Sequence, residues 1–270
     1  MAIVDDIFKD NLLQILSQDW EIDNRSKWND GTPVMTKRVF GVVNRYDLSK
    51  EFPIQTLRKQ NIESCFKEIS WIYQQRSTYV DDLGLNIWNN WTDDKGSIGR
   101  GYGYQVGKDV FGSATQIHYV LNEIKENPTS RRLIVEMWNV DDLDEMNLVP
   151  CAHHIQFNIK NGKLNAILKQ RSGDFVTANN FNVVEYSLLL HMVARHTGYK
   201  VGELIHVIGD MHIYNKHEEQ AYDLLNRTPK PAPKLIIDET VNNFFDFKAE
   251  HFKLENYEYN KPQLEIEVAI

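Results

Sequence analysis

An α+β fold is the architecture this chain predicts, and three observations predict it. Apolar residues recur at helical spacing in several separate stretches, the first comprising Ile3, Val4, Ile7, Phe8, Leu12, Ile15 and Leu16. Asn161-Gly162 stands between two runs of apolar and β-branched residues, the strongest short-range signal of a hairpin. Strand-like and helical stretches then mix without regular βαβ spacing.

In chain order, the first apolar pattern predicts an amphipathic helix over residues 2–19. Arg25 falls in a polar stretch that reads as a loop, and Asn29 to Pro33 is a turn cluster. Val34 to Leu48 is rich in β-branched and alternating residues and predicts one or two strands around Gly41. A second helix, over residues 61–76, would bury Ile62, Cys65, Phe66, Ile69 and Ile72 and carry Glu68 between those apolar turns. Ile87 to Trp91 leads into a loop with Gly96, Gly99, Gly101 and Gly103, which lacks the strand-and-helix context of a phosphate-binding fingerprint. Ile117, Val120, Leu121 and Ile124 predict a helix that stops at Asn127-Pro128, followed by a strand from Leu133 to Trp138. If Asn161 and Gly162 form the hairpin loop, Lys160 faces Lys163. Cys151 then faces Ser172, with Arg171 on the diagonal, unless a bulge intervenes. Val183 to Thr197 predicts a helix closed by Gly198, Leu204 to Ile208 a buried strand, and residues 215–226 another helix. Pro229 to Pro233 reads as a short linker, and Leu264, Ile266, Val268 and Ile270 alternate as a terminal strand. Residues 1–270 are expected to form one domain.

Composition narrows the function. A hydrophobic fraction of 42% and a charged fraction of 25% suit a globular protein with a sizeable core. A net charge of −8 argues against a general nucleic-acid or anionic-membrane surface, while leaving room for a local basic pocket. Two cysteines, Cys65 and Cys151, give no disulfide framework, and a reducing compartment suits free thiols. The first residues lack a basic segment followed by an apolar core, and no run approaches the roughly 18 apolar residues of a membrane span. A soluble, cytoplasmic protein is expected.

The stretch from Pro150 to Tyr214 carries chemistry. A thiol is a strong nucleophile only as the thiolate, and a nearby guanidinium favours that form. Arg171 suits the part, since arginine stays charged and also binds phosphate. Alone, Cys151 would read as a small buried hydrophobe, but Arg171, Asp174 and His212 in the same stretch argue for a working thiol. Cys151, His153 and His154 lack the usual zinc-ligand spacing, so no metal site is expected. The two histidines also lack an orienting motif, which weighs against a cysteine hydrolase.

Pro150-Cys151, Gln156-Phe157, Gln170-Arg171-Ser172-x-Asp174, Phe181-Asn182 and Gly209-Asp210-x-His212-x-Tyr214 occur in order. Arg25 precedes them, as does Ser130-Arg131-Arg132, and Val268-Ala269-Ile270 follows. The series resembles the folate-dependent thymidylate synthase family, hydroxymethylase members included, over nearly the whole chain. The resemblance implies a mixed sheet with packed helices and a homodimer joined sheet to sheet. It implies methylation of dUMP at C5 to dTMP, with 5,10-methylenetetrahydrofolate donating both one-carbon unit and hydride. No metal, membrane or DNA is called for. Cys151 would attack C6 and so make C5 nucleophilic, a covalent route that splits one hard step into easier ones. Glu68, matched with Trp71 to a Glu-x-x-Trp motif, would shuttle protons, for which a half-buried carboxyl with a raised pKa is suited. Tyr102 would assist proton removal at C5, Trp88 would pack near the folate, and Asp174 would serve catalysis, nucleotide and folate. Arg171 would support thiolate and phosphate together. Arg25, Arg131 and Arg132 would add phosphate contacts, the last two reaching into the partner's site. Ser172 would bind phosphate, and His212 and Tyr214 the deoxyribose hydroxyl. The tail would close over the substrate, bringing Ala269 to the folate. Asn182 would read the base: its amide donates to O4 and accepts from N3–H, which suits uracil, whereas an aspartate would suit cytosine.

Several positions depart from the family pattern. Ala152 follows the nucleophile where histidine is usual, Thr177-Ala178-Asn179-Asn180 replaces Leu-Gly-x-Pro, Asn89 replaces aspartate, and Arg58 and Asn61 stand for lysine and histidine. Because several lie on the folate side, a dUMP 5-hydroxymethylase, in which water captures the methylene instead of hydride, is the alternative. An inactive nucleotide- or RNA-binding relative is the reading from another class, and the intact Cys151, Glu68, Tyr102 and Asp174 argue against it.

Overall fold

The computed structural model describes residues 1–268, with a six-stranded mixed sheet at the centre. Its strands are β1 (Glu21–Lys27), β2 (Pro33–Asp47), β3 (Ile134–Glu136), β4 (Ala152–Lys160), β5 (Lys163–Asp174) and β6 (Lys200–Tyr214), in the spatial order β1-β2-β6-β5-β4-β3. Around it lie α1 (Ile3–Leu16), α2 (Ile62–Ile69), α3 (Val80–Leu83), α4 (Gly103–Val106), α5 (Gln116–Glu126), α6 (Asn179–Thr197) and α7 (Glu218–Asn226). A separate pair, β7 (Lys234–Ile237) and β8 (Phe252–Glu255), was not foreseen. Only β5 and β6 run parallel in the main sheet; such a pair needs a crossover, and α6 supplies it.

Local chemistry explains where the helices stop and start. The Asn61 side chain caps α2 by accepting from the N–H groups of Glu63 and Ser64, and the helix continues as a π-helical turn over Ser70–Gln75. Thr115 caps α5 through the His118 N–H, and the helix ends at Asn127, before Pro128, as the sequence predicts. Helix α6 is buried nearly all round and begins four residues ahead of the predicted Val183, so Phe181 and Asn182 are helical. Gly198, at φ +80°, closes it. One core packs α2, α5 and α6 against the sheet. A second packs α1 and α7 near the β6 terminus, where the Phe8 and Phe175 rings stack at 4.8 Å.

Three expectations need correction. Arg25 lies in a strand: β1 pairs with β2 from Glu21–Thr36 to Asp23–Val34 and slips before Lys27–Pro33. Its polar sequence hides it, because the ladder to β2 rather than a buried face satisfies its backbone. The hairpin keeps the predicted register from Lys160–Lys163 to His154–Lys169, but Ala152 then pairs with Gln170. The extra residue on β4 is a bulge, and it brings Arg171, not Ser172, opposite Cys151. Residues 263–268 form no strand; Leu264 and Ile266 pack on the second core without a ladder, and Ala269 and Ile270 lie outside the described residues.

Gly41 interrupts β2 at φ +83°, between the Phe40–Asp210 and Val42–Ile208 pairs, without changing register. Residues 38 and 40 are exposed before it and residues 43 and 45 after it. The outward sheet face therefore presents Phe40, 86% exposed, and Val43, 55% exposed.

Candidate active site

The bulge at the start of β4 decides how Cys151 is held. The Arg171 N–H donates to the Cys151 carbonyl at 2.8 Å. The Arg171 guanidinium turns back along the same segment, donating from Nε to Pro150 O at 3.0 Å and from Nη2 to Val149 O at 2.7 Å. On the other side, the Cys151 N–H donates to the Tyr102 hydroxyl at 3.0 Å. Cys151 itself is half-buried. Tyr102 sits at φ +42°, a left-handed conformation rare outside glycine and one that marks functional positions. Burial, with the neighbouring Cys151, pushes its phenol well above the usual range, so it is a neutral donor and acceptor.

From Tyr102 the contacts run to a buried carboxyl. The Trp88 ring meets Tyr102 edge-on at 4.9 Å, and its Nε1 donates to Glu68 Oε1 at 3.1 Å. Glu68 keeps some access to solvent but is otherwise enclosed by protein, and this burial raises its pKa despite hydrogen bonds accepted from Glu185 and Trp88 that lower it. Asn182, on the first turns of α6, faces the same region. Its Oδ1 accepts from Gln170 Nε2 and its Nδ2 donates to Glu185 Oε2, each at 3.1 Å. Gln170 is oriented by donating to Ser172 O at 2.8 Å and by His206 Nε2, 2.7 Å from its Oε1. The Asn182 amide thereby has one N–H and one lone pair left for a ligand.

Arg171 and Ser172, the next residues on β5, face a cleft of about 400 Å³ shared with β1, β2 and β6. Arg38, Asp210 and His212 line its far wall. His212 Nδ1 lies 2.9 Å from Asp210 Oδ1; burial works to raise that carboxyl, but His212 and Arg38 hold it below the usual range. The Tyr214 ring packs edge-on to His212 at 5.1 Å without lining the cleft. A larger, more open depression of about 740 Å³ lies between α7 and the C-terminal segment, but its lining includes no cysteine.

The predicted residues thus fall into two connected groups. Cys151, Tyr102, Trp88 and Glu68 form one chain of contacts to which Asn182 is tied through Glu185, and Arg171, Ser172 and His212 line the polar cleft. Asp174 ends β5 on the turn into α6, its Oδ1 accepting the Thr177 N–H at 3.2 Å. Arg25 belongs to β1, whose Ile22–Asn24 segment borders the cleft. Arg131 and Arg132 are exposed ahead of β3, at the opposite sheet edge, and do not line this chain's cleft. Ala269 lies outside the described residues.

Three residues that sequence reasoning passed over belong to the site. Arg58, expected only as a departure, donates to Val176 O at 2.6 Å and Thr177 O at 2.9 Å, fixing the turn that carries Asp174. Gln170 and Glu185 orient Asn182. Only the i,i+3 spacing of Asn182 and Glu185 on one helix face could have signalled the latter. Among the described residues, no group of three or more His, Cys, Asp or Glu could hold a metal ion.

With this geometry in place, comparison with known proteins is informative. The family model described as thymidylate synthase matches residues 6–270. Thymidylate synthase of Bacillus subtilis subsp. natto is 40% identical over 277 residues, covering 100% of this chain and 97% of that protein. Thymidylate synthase of Bacillus licheniformis is 41% identical over 260 residues, covering 93% and 92%. The solved thermostable thymidylate synthase A from Bacillus subtilis superposes with a TM-score of 0.93 at 39% identity, covering 98% of this chain and 99% of that one.

Proposed function

We infer the function from one premise, that this chain belongs to the thymidylate synthase family. It methylates dUMP at C5 to dTMP, with 5,10-methylenetetrahydrofolate as co-substrate. The relatives named thymidylate synthase do not favour the hydroxymethyl product.

The observation that carries the residue-level reading is the mounting of Cys151 between the Arg171 clamp and the Tyr102 hydroxyl, together with an Asn182 amide oriented by Gln170 and Glu185. Cys151 Sγ attacks C6, and the electron pair displaced from C5–C6 is held as an enolate on O4, where the free N–H of Asn182 donates. The remaining lone pair of Asn182 accepts N3–H, which selects uracil. Glu68 exchanges the proton that O4 takes and returns, and the neutral Tyr102 hydroxyl assists removal of the C5 proton to water. Arg171 and Ser172 take phosphate oxygens, Arg25 adds a further phosphate contact, and His212 and Tyr214 meet the deoxyribose hydroxyl. Bound methylenetetrahydrofolate supplies the one-carbon unit and the hydride. The residues present fit it: Trp88 offers an indole edge beside Tyr102, and Asn179 and Asn180, just beyond Asp174, have buried amide atoms without protein partners. The C-terminal Val268-Ala269-Ile270 closes the site.

The active form is a homodimer built on the open sheet face with Phe40 and Val43. Arg131 and Arg132, exposed and away from their own cleft, serve the partner's phosphate. No described helix is long and apolar enough to cross a membrane, and two free cysteines suit the cytoplasm. Mass analysis of the product from dUMP and methylenetetrahydrofolate, with absorbance reporting dihydrofolate, tests the reading. A dTMP mass with dihydrofolate is expected; a hydroxymethyl-dUMP mass, or turnover of dCMP alone, would overturn it.

A further inference from the structure

Resting on that reading, we propose that Glu185 is a second acid–base residue of the reaction, sharing one proton with Glu68 and fixing the orientation in which Asn182 reads the base. Glu185 stands three residues after Asn182 on α6, in a stretch otherwise apolar from Val183 to Leu190 apart from Ser187, and is 3% exposed. It accepts from Asn182 Nδ2 at 3.1 Å, and its carboxyl is hydrogen-bonded to that of Glu68. Two carboxyls in contact cannot form such a bond when both are ionised, because one must donate. The titratable groups facing the pair are the Cys65 thiol from α2, the Tyr73 phenol from the π-helical turn, Tyr102 ahead of α4 and Tyr186 on α6. These are neutral thiols and phenols near pH 7, so they do not compensate a second negative charge. The pair therefore holds one proton through neutral pH.

Burial raises both carboxyls, Glu185 further because the Glu68 charge adds to it. Glu185 is accordingly the resting donor, and Glu68 the acceptor also reached by Trp88. As C6 is attacked, Glu68 takes the proton from Glu185 and hands that same proton to O4. Glu185 is left as a carboxylate bonded to the Asn182 N–H. The same proton returns when the O4 carbonyl re-forms, so no net proton is consumed. The Glu185 oxygen facing Asn182 can only accept in either state, which holds Nδ2 towards Glu185 and leaves the amide in its uracil-reading orientation. Gln170, fixed by Ser172 O, enforces the same orientation from the other end.

The test is the pH dependence of kcat for dTMP formation by the full-length protein and by Glu185→Gln, with KM for dUMP measured alongside. Glutamine fills the space but holds no titrating proton, and it removes the like charge that keeps the shared proton in place. The basic limb of kcat is expected to move down by at least one pH unit, and kcat at pH 7.5 to fall at least tenfold, with KM for dUMP within threefold. Superimposable pH profiles with kcat within twofold would overturn the inference while leaving the thymidylate synthase reading intact. Failure of the unmutated protein to form dTMP would overturn the reading itself. Should Glu185→Gln not fold, infrared spectroscopy of the unmutated protein decides. A protonated-carboxyl band persisting at pH 8 supports the shared proton, and its absence refutes it.

Discussion

Arg171→Lys separates two roles that one guanidinium fills. Two of its donors already bond Val149 O and Pro150 O, the residues leading into Cys151, leaving three N–H groups for phosphate. A lysine ammonium on a flexible stem cannot reproduce this fork, and it meets at most one carbonyl while also facing phosphate. Losing one hydrogen bond to a charged donor costs about 1.5–3 kcal/mol, or about 10–150-fold in rate if the loss is felt in the transition state. Because the clamp holds the nucleophile's own backbone, the loss is expected in kcat at saturating dUMP, accompanied by a rise in KM. Steady-state kinetics of both variants against dUMP gives the answer, with Ser172→Ala as a comparison that touches the cleft without the clamp. Ser172→Ala is expected to raise KM and spare kcat, the mark of binding lost equally from ground and transition states. The same pattern in Arg171→Lys, with kcat unchanged, would refute the clamp and leave Arg171 as a phosphate ligand alone.

Three further outcomes are expected. Tyr102→Phe removes the acceptor of the Cys151 N–H and the hydroxyl proposed to assist C5 deprotonation; kcat should fall about a hundredfold or more while KM for dUMP changes severalfold at most. A kcat within threefold would remove Tyr102 from the chemistry. Gly209→Ala would place a Cβ 2.8 Å from the Arg171 carbonyl, forcing β5 and β6 apart beside the clamp. A loss of about 1–3 kcal/mol in denaturant unfolding is expected together with reduced kcat, and unchanged values of both would contradict the close approach. Asp5, fully buried on Thr56, is raised by burial from 3.8 to about 6. A carboxyl raised in the fold contributes fully below its unfolded pKa and loses that contribution as pH climbs through 6. Asp5→Asn should therefore gain on the parent by about 2.4 kcal/mol, or about 5–10 °C in Tm, between pH 4 and pH 8. Parallel stability curves would exclude this.

The parts of the fold legible in the sequence are those in which one residue pattern reports one physical cause. Apolar periodicity located α1, α2 and α5 because each buries a single stripe. Asn161-Gly162 set the hairpin register for seven pairs because its turn geometry propagates along the ladder. Where the cause lies in a neighbour, the pattern fails. β1 is strand because β2 offers it a partner, and the alternating 264–268 segment is not, because nothing described pairs with it. Asn179 and Asn180 read as loop residues, yet they open α6 and are 1% exposed, since the turn ahead of them is held by Arg58, far away in sequence.

The site was legible as a set of residue types but not as a geometry, and the bulge at Ala152–His154 explains the difference. Without it Cys151 would pair with Ser172, and Arg171 would stand diagonal, its backbone N–H directed to another partner. A one-residue shift changes every cross-strand neighbour beyond it. Here it brings the Arg171 N–H onto the Cys151 carbonyl, while the guanidinium reaches the two carbonyls before it. Glu185 was illegible for the complementary reason. A lone acid in an apolar helix run breaks the local pattern, and its partners, Glu68 and Asn182, become visible only once α2 packs on α6. Both features violate local rules of ladder and burial, and both lie within contact of residues proposed to touch the pyrimidine. Irregularities of this kind persist where the surrounding structure over-determines them. A survey for functional groups in this fold should therefore start from its broken ladders and buried acids, and the Glu185 and Arg171 variants measure whether that ordering holds.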